Sequence, residues 1–482
     1  MRTKNFFITP AALLLLASCS SELDVTQTTK VDEPTPVTFG AYSAQSTKTR
    51  AAIESVADLV NGTGFGVFAY YTGTDNYSAG IAPNFMYNEH VTGRTVTGGG
   101  YDWSYTPLKF WPNDIATGAV DGGGADGSAT GTVANGGKIS FFAYAPYFEN
   151  TPSNGEVSGA TDGIISFTSN TIEGNPTVTY KVGSANFVDL LWGTAGENSV
   201  NYIEKTGSQA GTLLTDGKAK VWTDITRPKD TDRIKFNFLH ALSKFGGSSS
   251  TTNPGGVKIV LNPDAGDSFG GNNETKVTVN FIKIATTNGA GAANDKKFCQ
   301  KGTLDLATGV WTKSTENNDY TIINQEINGT GTATDPATGA KINPAILENT
   351  SFGGASKWDS EVSEGGLPNG VTTTAVNVYD SDIDPIYAIP GSQPNLTVTI
   401  SYVVRTKDDK LKDGYTYAKQ EIAKNITMPV FELNKAYGLL IRLGLTSVKF
   451  AAEITNWEDG GSDTDPADSS KHVTIVDLPA ND

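Results

Sequence analysis

The chain has 482 residues, 53 of them glycine, with 10% aromatic residues and a formal net charge of −16. That length buries a large core without metals or disulfides, and the abundance of glycine, threonine and asparagine favours many short strands joined by turns over long helices. No basic block opposes the acidity, which argues against nucleic acid and anionic membrane surfaces as electrostatic partners.

The chain opens MRTKNFFITPAALLLLASCSS, with Arg2 and Lys4 ahead of an apolar run from Phe6 to Ala17 that is too short to span a bilayer. This is the pattern of a secretion signal. Its end, Leu16-Ala17-Ser18-Cys19, has the form of a bacterial lipobox, which predicts a signal peptide over 1–18 and lipidation of Cys19. Residues 19–36 are polar and aperiodic and read as a tether. In PVTFGAY, Val37, Phe39 and Ala41 alternate with Thr38 and Gly40, the mark of a one-sided strand. The junction STKTRAAIES follows at once, with Lys48 and Arg50 in what is either a surface turn or a place of cleavage.

Further strand candidates are GVFAYY (66–71), NFMYNEHV (84–91), ISFFAYAPY (139–147) and FVDLLW (187–192), with a long Gly-rich surface loop expected between Pro112 and Lys138. The polar segment TDITRPKDTDR, Thr223 to Arg233, reads as a domain linker. A second β series then starts at IKFNFLHALSKF and runs through GVKIVL, KVTVNFIKI, AVNVY, IYAI, LTVTISYVV, ITMPVFEL, YGLLIRLGL and VKFAAEITNW to Trp457. Strand count and the scarcity of helical periodicity predict an all-β chain of two tandem β-sandwich domains, 51–228 and 229–457. An acidic spacer, EDGGSDTDPADSS, leads to one last strand pattern with no obvious partner, HVTIVDL.

Residues for catalysis are scarce. His90, His240 and His472 lie in three segments without metal-site spacing. Ser243 follows His240 by three residues, but no Gly-x-Ser-x-Gly elbow surrounds it, which favours a packed or capping histidine. DSDIDP and DTDPADSS offer oxygens to Ca²⁺ yet lack the glycine and distal glutamate of an EF-hand loop. Trp103, Tyr105, Phe110 and Trp111 are core residues or a stacking surface for sugar. Cys299 reads as a small strand residue. No enzyme activity, cofactor or metal site is predicted.

In this order, TRAA, FGVFAYY, NFMYNEHV, YTPLKFWP, ISFFAYAPY, DLLWGTA, FNFLHALSKF and VKFAAEITNWED together resemble the fimbrillin family, the Mfa-like subunits of type V pili of Gram-negative anaerobes. The resemblance covers most of the chain, from the lipobox to Trp457. It implies two transthyretin-like β-sandwich domains and export as an outer-membrane lipoprotein anchored through Cys19. It further implies maturation by an Arg-specific surface protease that removes a propeptide, residues 19–50, by cutting Arg50–Ala51, and polymerisation with other pilin subunits into a cell-surface fimbrium that supports adhesion. Arg50 suits such a protease better than Lys48, because a guanidinium pairs bidentately with a carboxylate in the specificity pocket. The strand lost is the one carrying Val37, Phe39 and Ala41.

A replacement strand can be sought by pattern. VTFGAY and VTIVDL both open with Val-Thr and a large apolar residue, so Val473 and Ile475 can present one face as Val37 and Phe39 do. The segment Val473, Ile475, Val476 and Leu478 is therefore the candidate donor, on a spacer of about thirteen residues that reaches ~20 Å. It can instead fold back as an ordinary edge strand of its own domain. A different class also fits: a monomeric surface-anchored lipoprotein that keeps its leader and binds glycan or host protein through its aromatic residues.

Overall fold

A computed structural model describes residues 35–43, 55–112, 137–183, 187–195, 212–213, 220–225, 233–246, 256–261, 275–328, 376–377, 385–412, 414–444, 448–457 and 474–480. Cys19, Lys48, Arg50, Ala51, His472 and Val473 lie outside the described residues, as do the 113–136 stretch, the DTDPADSS segment and most of DSDIDP.

The strands are β1 (Phe39–Ser43), β2 (Phe65–Gly73), β3 (Met86–Thr95), β4 (Tyr101–Ser104), β5 (Lys138–Ala145), β6 (Gly163–Phe167), β7 (Thr177–Lys181), β8 (Leu191–Thr194), β9 (Thr212–Leu213), β10 (Lys220–Ile225), β11 (Ile234–His240), β12 (Ser243–Phe245) and β13 (Val257–Leu261). They continue as β14 (Thr275–Thr286), β15 (Phe298–Cys299), β16 (Lys301–Asp305), β17 (Trp311–Lys313), β18 (Tyr320–Thr321), β19 (Asn324–Asn328), β20 (Val376–Asn377), β21 (Ile386–Ala388), β22 (Asn395–Lys407), β23 (Tyr415–Thr427), β24 (Lys435–Leu443), β25 (Val448–Asn456) and β26 (Thr474–Leu478). Among the described residues one short α-helix, α1 (Val56–Asn61), is capped by the Ser55 hydroxyl, which accepts from the Asp58 amide, and it buries Leu59. The chain is all-β, as its composition predicts.

The first sheet has the order β1-β11-β8-β5-β2-β3-β4, with β10 also on β5. Both of its faces are covered. One packs Phe65, Val67, Phe141, Phe236 and Phe238 into one core, and the other packs Phe68, Tyr70, Phe142, Tyr144 and Trp192 into a second. Burial on both sides explains why β2 and β5 read as unbroken apolar runs rather than alternating ones. The second core is shared with a four-stranded sheet, β17-β16-β7-β6, whose strands come from both halves of the chain.

The carboxy-terminal strands form a sandwich. Strand β24 pairs with β12 and β13 along one edge and with β25 along the other, and β26 pairs with β25. This sheet faces β19-β14-β22-β23 across a core of Val257, Ile259, Leu439, Ile441 and Phe450 against Ile282, Ile284, Leu396, Val398 and Ile400.

The structure differs from the sequence reading at the middle of the chain. The expected linker begins inside β10, and the strand after it, β11, pairs with β8 and β1, so it belongs to the first sheet. The sheets part at Ala241–Leu242, both buried, rather than at 228–229. Polar residues at the end of β10 gave a linker signature although the strand is buried almost throughout: Val221, Trp222, Thr223 and Ile225 are buried, and Asp224 takes a left-handed conformation (φ 59°) at a bulge. Of ITMPVFEL only the first two residues are strand, the end of β23, and only the last two of FVDLLW lie in β8.

Candidate functional site

The feature that stands out is how the first sheet closes. β1 runs parallel to β11, Phe39 opposite Ile234 through Ser43 opposite Phe238, and forms the end of the sheet. At its start it turns to the opposite end: Pro36 bridges Phe110, and the Val37 amide donates to the Lys109 carbonyl at 2.9 Å. The Tyr105 hydroxyl donates to the Val37 carbonyl at 2.9 Å and accepts from the Lys109 amide at 3.2 Å. Burial pushes that phenol up to about 12, the Lys109 backbone contact only partly offsetting it and Glu89 adding to it, so it is a constant donor. β1 is thus the closing stave between β11 and the segment after β4.

Its inner face fills the sheet's hollow. Val37 and Phe39 are fully buried and Ala41 is half-buried. The Phe39 ring meets Tyr105 at 5.4 Å, Phe141 at 5.9 Å, Phe236 at 6.0 Å and Phe65 at 6.3 Å between centroids. These are the spacings at which aromatic pairs attract beyond simple burial. Outside the hollow, Asp102 of β4 accepts from Arg94 at 2.9 Å and lies 3.7 Å from Arg233, the residue before β11.

The aromatic cluster divides. Trp103, Tyr105 and Trp111 line the hollow, and Phe110 stays 46% exposed beside exposed Leu108. The platform for sugar is thereby reduced to one ring, while the core role holds for the other three.

The candidate donor lies on its own domain. β26 pairs antiparallel with β25, Thr474 opposite Ile454 through Leu478 opposite Phe450. Only Leu478 is buried, and Ile475 is 51% and Val476 38% exposed. Asp477, almost fully exposed, lies 3.6 Å from Arg442. The face that carries Ile475 is therefore the outward one in this arrangement.

Sequence reasoning missed a buried cluster between the halves. His240, at the end of β11, has Nδ1 3.0 Å from Asp189, and both are buried. The His240 ring stacks on Trp457 at 4.3 Å and 8°, Tyr387 stacks on Trp457 at 5.4 Å, and Phe187 stacks on Tyr387 at 3.7 Å. Lys244 Nζ lies 5.0 Å from the centre of the Trp457 ring. The Ser243 hydroxyl donates instead to the Glu432 carbonyl at 2.8 Å, so the pair has separate partners. His240 was legible as packed, but Asp189 is 51 residues away and nothing in the local pattern points to it. His90 stacks on Tyr147 at 3.8 Å with Nε2 2.7 Å from the Thr63 carbonyl. Among the described residues no three His, Cys, Asp or Glu side chains gather as metal ligands, and no helix is long and apolar enough to cross a membrane.

The described residues thus form an all-β arrangement of stacked sheets, with an amino-terminal strand at one end of the first sheet and a surface strand, β26, on the last. Compared with known proteins, the chain is 27% identical over 468 residues to the fimbrium subunit Fim1C of Phocaeicola vulgatus, covering 94% of this chain and 96% of that one. The chain is thus similar to a fimbrium subunit over nearly its whole length. Among solved structures it is similar to a fimbrial protein of Bacteroides vulgatus (18% identity, 88% of this chain and 99% of that one, TM-score 0.47). It is also similar to a protein of Bacteroides uniformis whose name proposes a role in cell adhesion (13% identity, 88% and 98%, TM-score 0.31). No family model matches.

Proposed function

We propose that this chain is a structural subunit of a type V fimbria, made as a lipoprotein anchored to the outer membrane through Cys19 and matured by an Arg-specific protease at Arg50–Ala51. On this reading it folds as two β-sandwich domains and polymerises by donor-strand exchange on the cell surface, where the fimbria supports adhesion. The observation that carries the reading is the closing role of β1. One strand, contiguous with the expected cut, joins both ends of the first sheet and buries Val37 and Phe39 in its hollow.

Magnitudes favour exchange. Losing β1 uncovers two large apolar sites worth about 1.5–3 kcal/mol each, and leaves the facing edge of β11 unpaired. Lifting β26 off β25 likewise unpairs a strand edge, but it uncovers one buried apolar side chain, Leu478, at about 1.5–3 kcal/mol. A neighbour's Val473 to Leu478 that brings Val473 and Ile475 to the places of Val37 and Phe39 gains more than it gives up. The pairing of β26 with β25 is then the resting position of the donor before assembly.

The test treats purified full-length chain with an Arg-specific protease. An N-terminus at Ala51 with SDS-resistant ladders is expected, and a clean cut without ladders refutes strand exchange. Chain lacking residues 471–482 is expected to be cut but not to form ladders. Ladders of normal length from that variant would remove Val473–Leu478 as the donor.

A further inference from the structure

We infer that β11 is a tension strut, joining the place where an incoming strand is held to the place where the chain's own tail leaves the body, with the Trp457 stack as its clamp. The inference rests on the proposed strand exchange, because only then is the tail pulled. Its geometry is independent of that reading.

One end of the strut is the groove. Residues 234–238 of β11 pair in parallel with β1, and Phe236 and Phe238 line the hollow. The other end is His240, which is paired in β11 with Leu191 of β8 and fixed by Asp189. Its ring lies flat on Trp457, the last described residue before the 458–473 spacer. Seven residues at about 3.3 Å each therefore carry a load ~20 Å from groove to tail root.

Without the clamp the tail is badly placed to resist a pull. Asn456 opposite Lys435 is the terminal pair of the β24–β25 ladder, so tension arriving at 458 would unzip β25 one pair at a time. Trp457 removes that route. Its amide donates to the Asn434 carbonyl at 3.0 Å, and the Asn434 amide donates to the Leu242 carbonyl at 3.1 Å, two residues past the strut. Its ring is held by His240 and Tyr387, and Lys244 sits by it. The load then passes into β11 along its axis. There it meets β1 on one side and β8 on the other in shear, where the hydrogen bonds of a ladder share the force rather than breaking in turn.

The uncleaved chain reproduces this geometry, because pulling β1 from its amino-terminal side opposes a pull at the spacer. Single molecules of the full chain are stretched between handles at Lys30 and Ser462, and separately between Lys30 and Asp409 at the tip of the β22–β23 hairpin. In the first geometry Trp457→Leu is expected to add an early, low-force event that lengthens the chain by the nine residues of β25, about 30 Å. Trp457→Phe is expected to restore most of the resistance, and in the second geometry the Leu variant should break as the parent does. An equal loss in both geometries would make Trp457 an ordinary core residue and overturn the inference. So would β25 peeling first in the unmodified chain. Failure to polymerise after cleavage would instead remove the strand-exchange reading and leave these rupture patterns unchanged.

Discussion

Phe39→Ala tests whether the closing strand is held as its contacts indicate. A buried phenylalanine removes about 150–250 Å² from water, and its truncation in a packed core costs about 3–5 kcal/mol once the cavity is included. Phe39 belongs at the upper end, since Phe65, Tyr105, Phe141 and Phe236 surround it and all come from elements that cannot collapse without distorting the sheet. Against a typical net stability of about 5–15 kcal/mol, that is a third or more of what holds a domain together. The assay is urea unfolding of the uncleaved chain, with hydrogen exchange of the β11 amides showing where the loss falls. Ile475→Ala on the outward face of β26 serves as the reference and should stay within about 0.5 kcal/mol. A loss below about 1 kcal/mol at Phe39, or one no larger than at Ile475, would refute the claim that β1 completes the core.

Gly193→Ala is expected to destabilise by about 1–3 kcal/mol in the same unfolding assay, because a Cβ there would lie 2.8 Å from Ala143 Cβ and 3.1 Å from its carbonyl oxygen, between three strands of the first sheet. Asp319→Asn should flatten the acid limb of the stability curve. Burial alone would raise the Asp319 carboxyl, but the Ser314 hydroxyl and the ammonium groups of Lys301 and Lys181 outweigh it and hold the group below its ordinary value. Its contribution is thus complete above the unfolded carboxylate value near ~3.9 and disappears as pH falls through the lower folded value. Denaturation midpoints across that range, parent against variant, check the sign. Trp311→Phe removes the indole donor to the Ala241 carbonyl at 2.8 Å and should cost about 0.5–1.5 kcal/mol, with faster exchange at the junction of the halves.

Strands with a strong one-sided or two-sided pattern were legible. Val37, Phe39 and Ala41 point into the hollow as their alternation requires, and IKFNFLH alternates buried and half-buried along its whole length. The all-apolar runs of β2 and β5 were found as strands, although their burial on two faces was not read from them. What periodicity cannot supply is the partner. Nothing in IKFNFLH separates a strand that ends the first sheet from one that begins the second, because both environments ask for the same alternation. Strands β6, β7, β16 and β17 escaped notice because they are short, three to five residues each; β7 and β16 carry threonine and lysine and bury one side only, and β17 buries none of its residues. At the candidate site the strand and its inward residues were visible in advance. Tyr105 as the bolt on Val37 and Asp189 as the partner of His240 were not, since each contact joins segments far apart in the chain.

The mixed sheet has a consequence for biosynthesis. Thr179 of β7 lies beside Thr303 of β16, 124 residues later, and the aromatic face of Phe142, Tyr144 and Trp192 is covered only when both hairpins are present. A chain emerging amino end first therefore exposes that face until residues near Trp311 have followed. Contacts of such separation make for slow folding and leave apolar surface open to other chains meanwhile. The amino-terminal half is synthesised first but completed late, and that interval is when a holding chaperone would have most to bind.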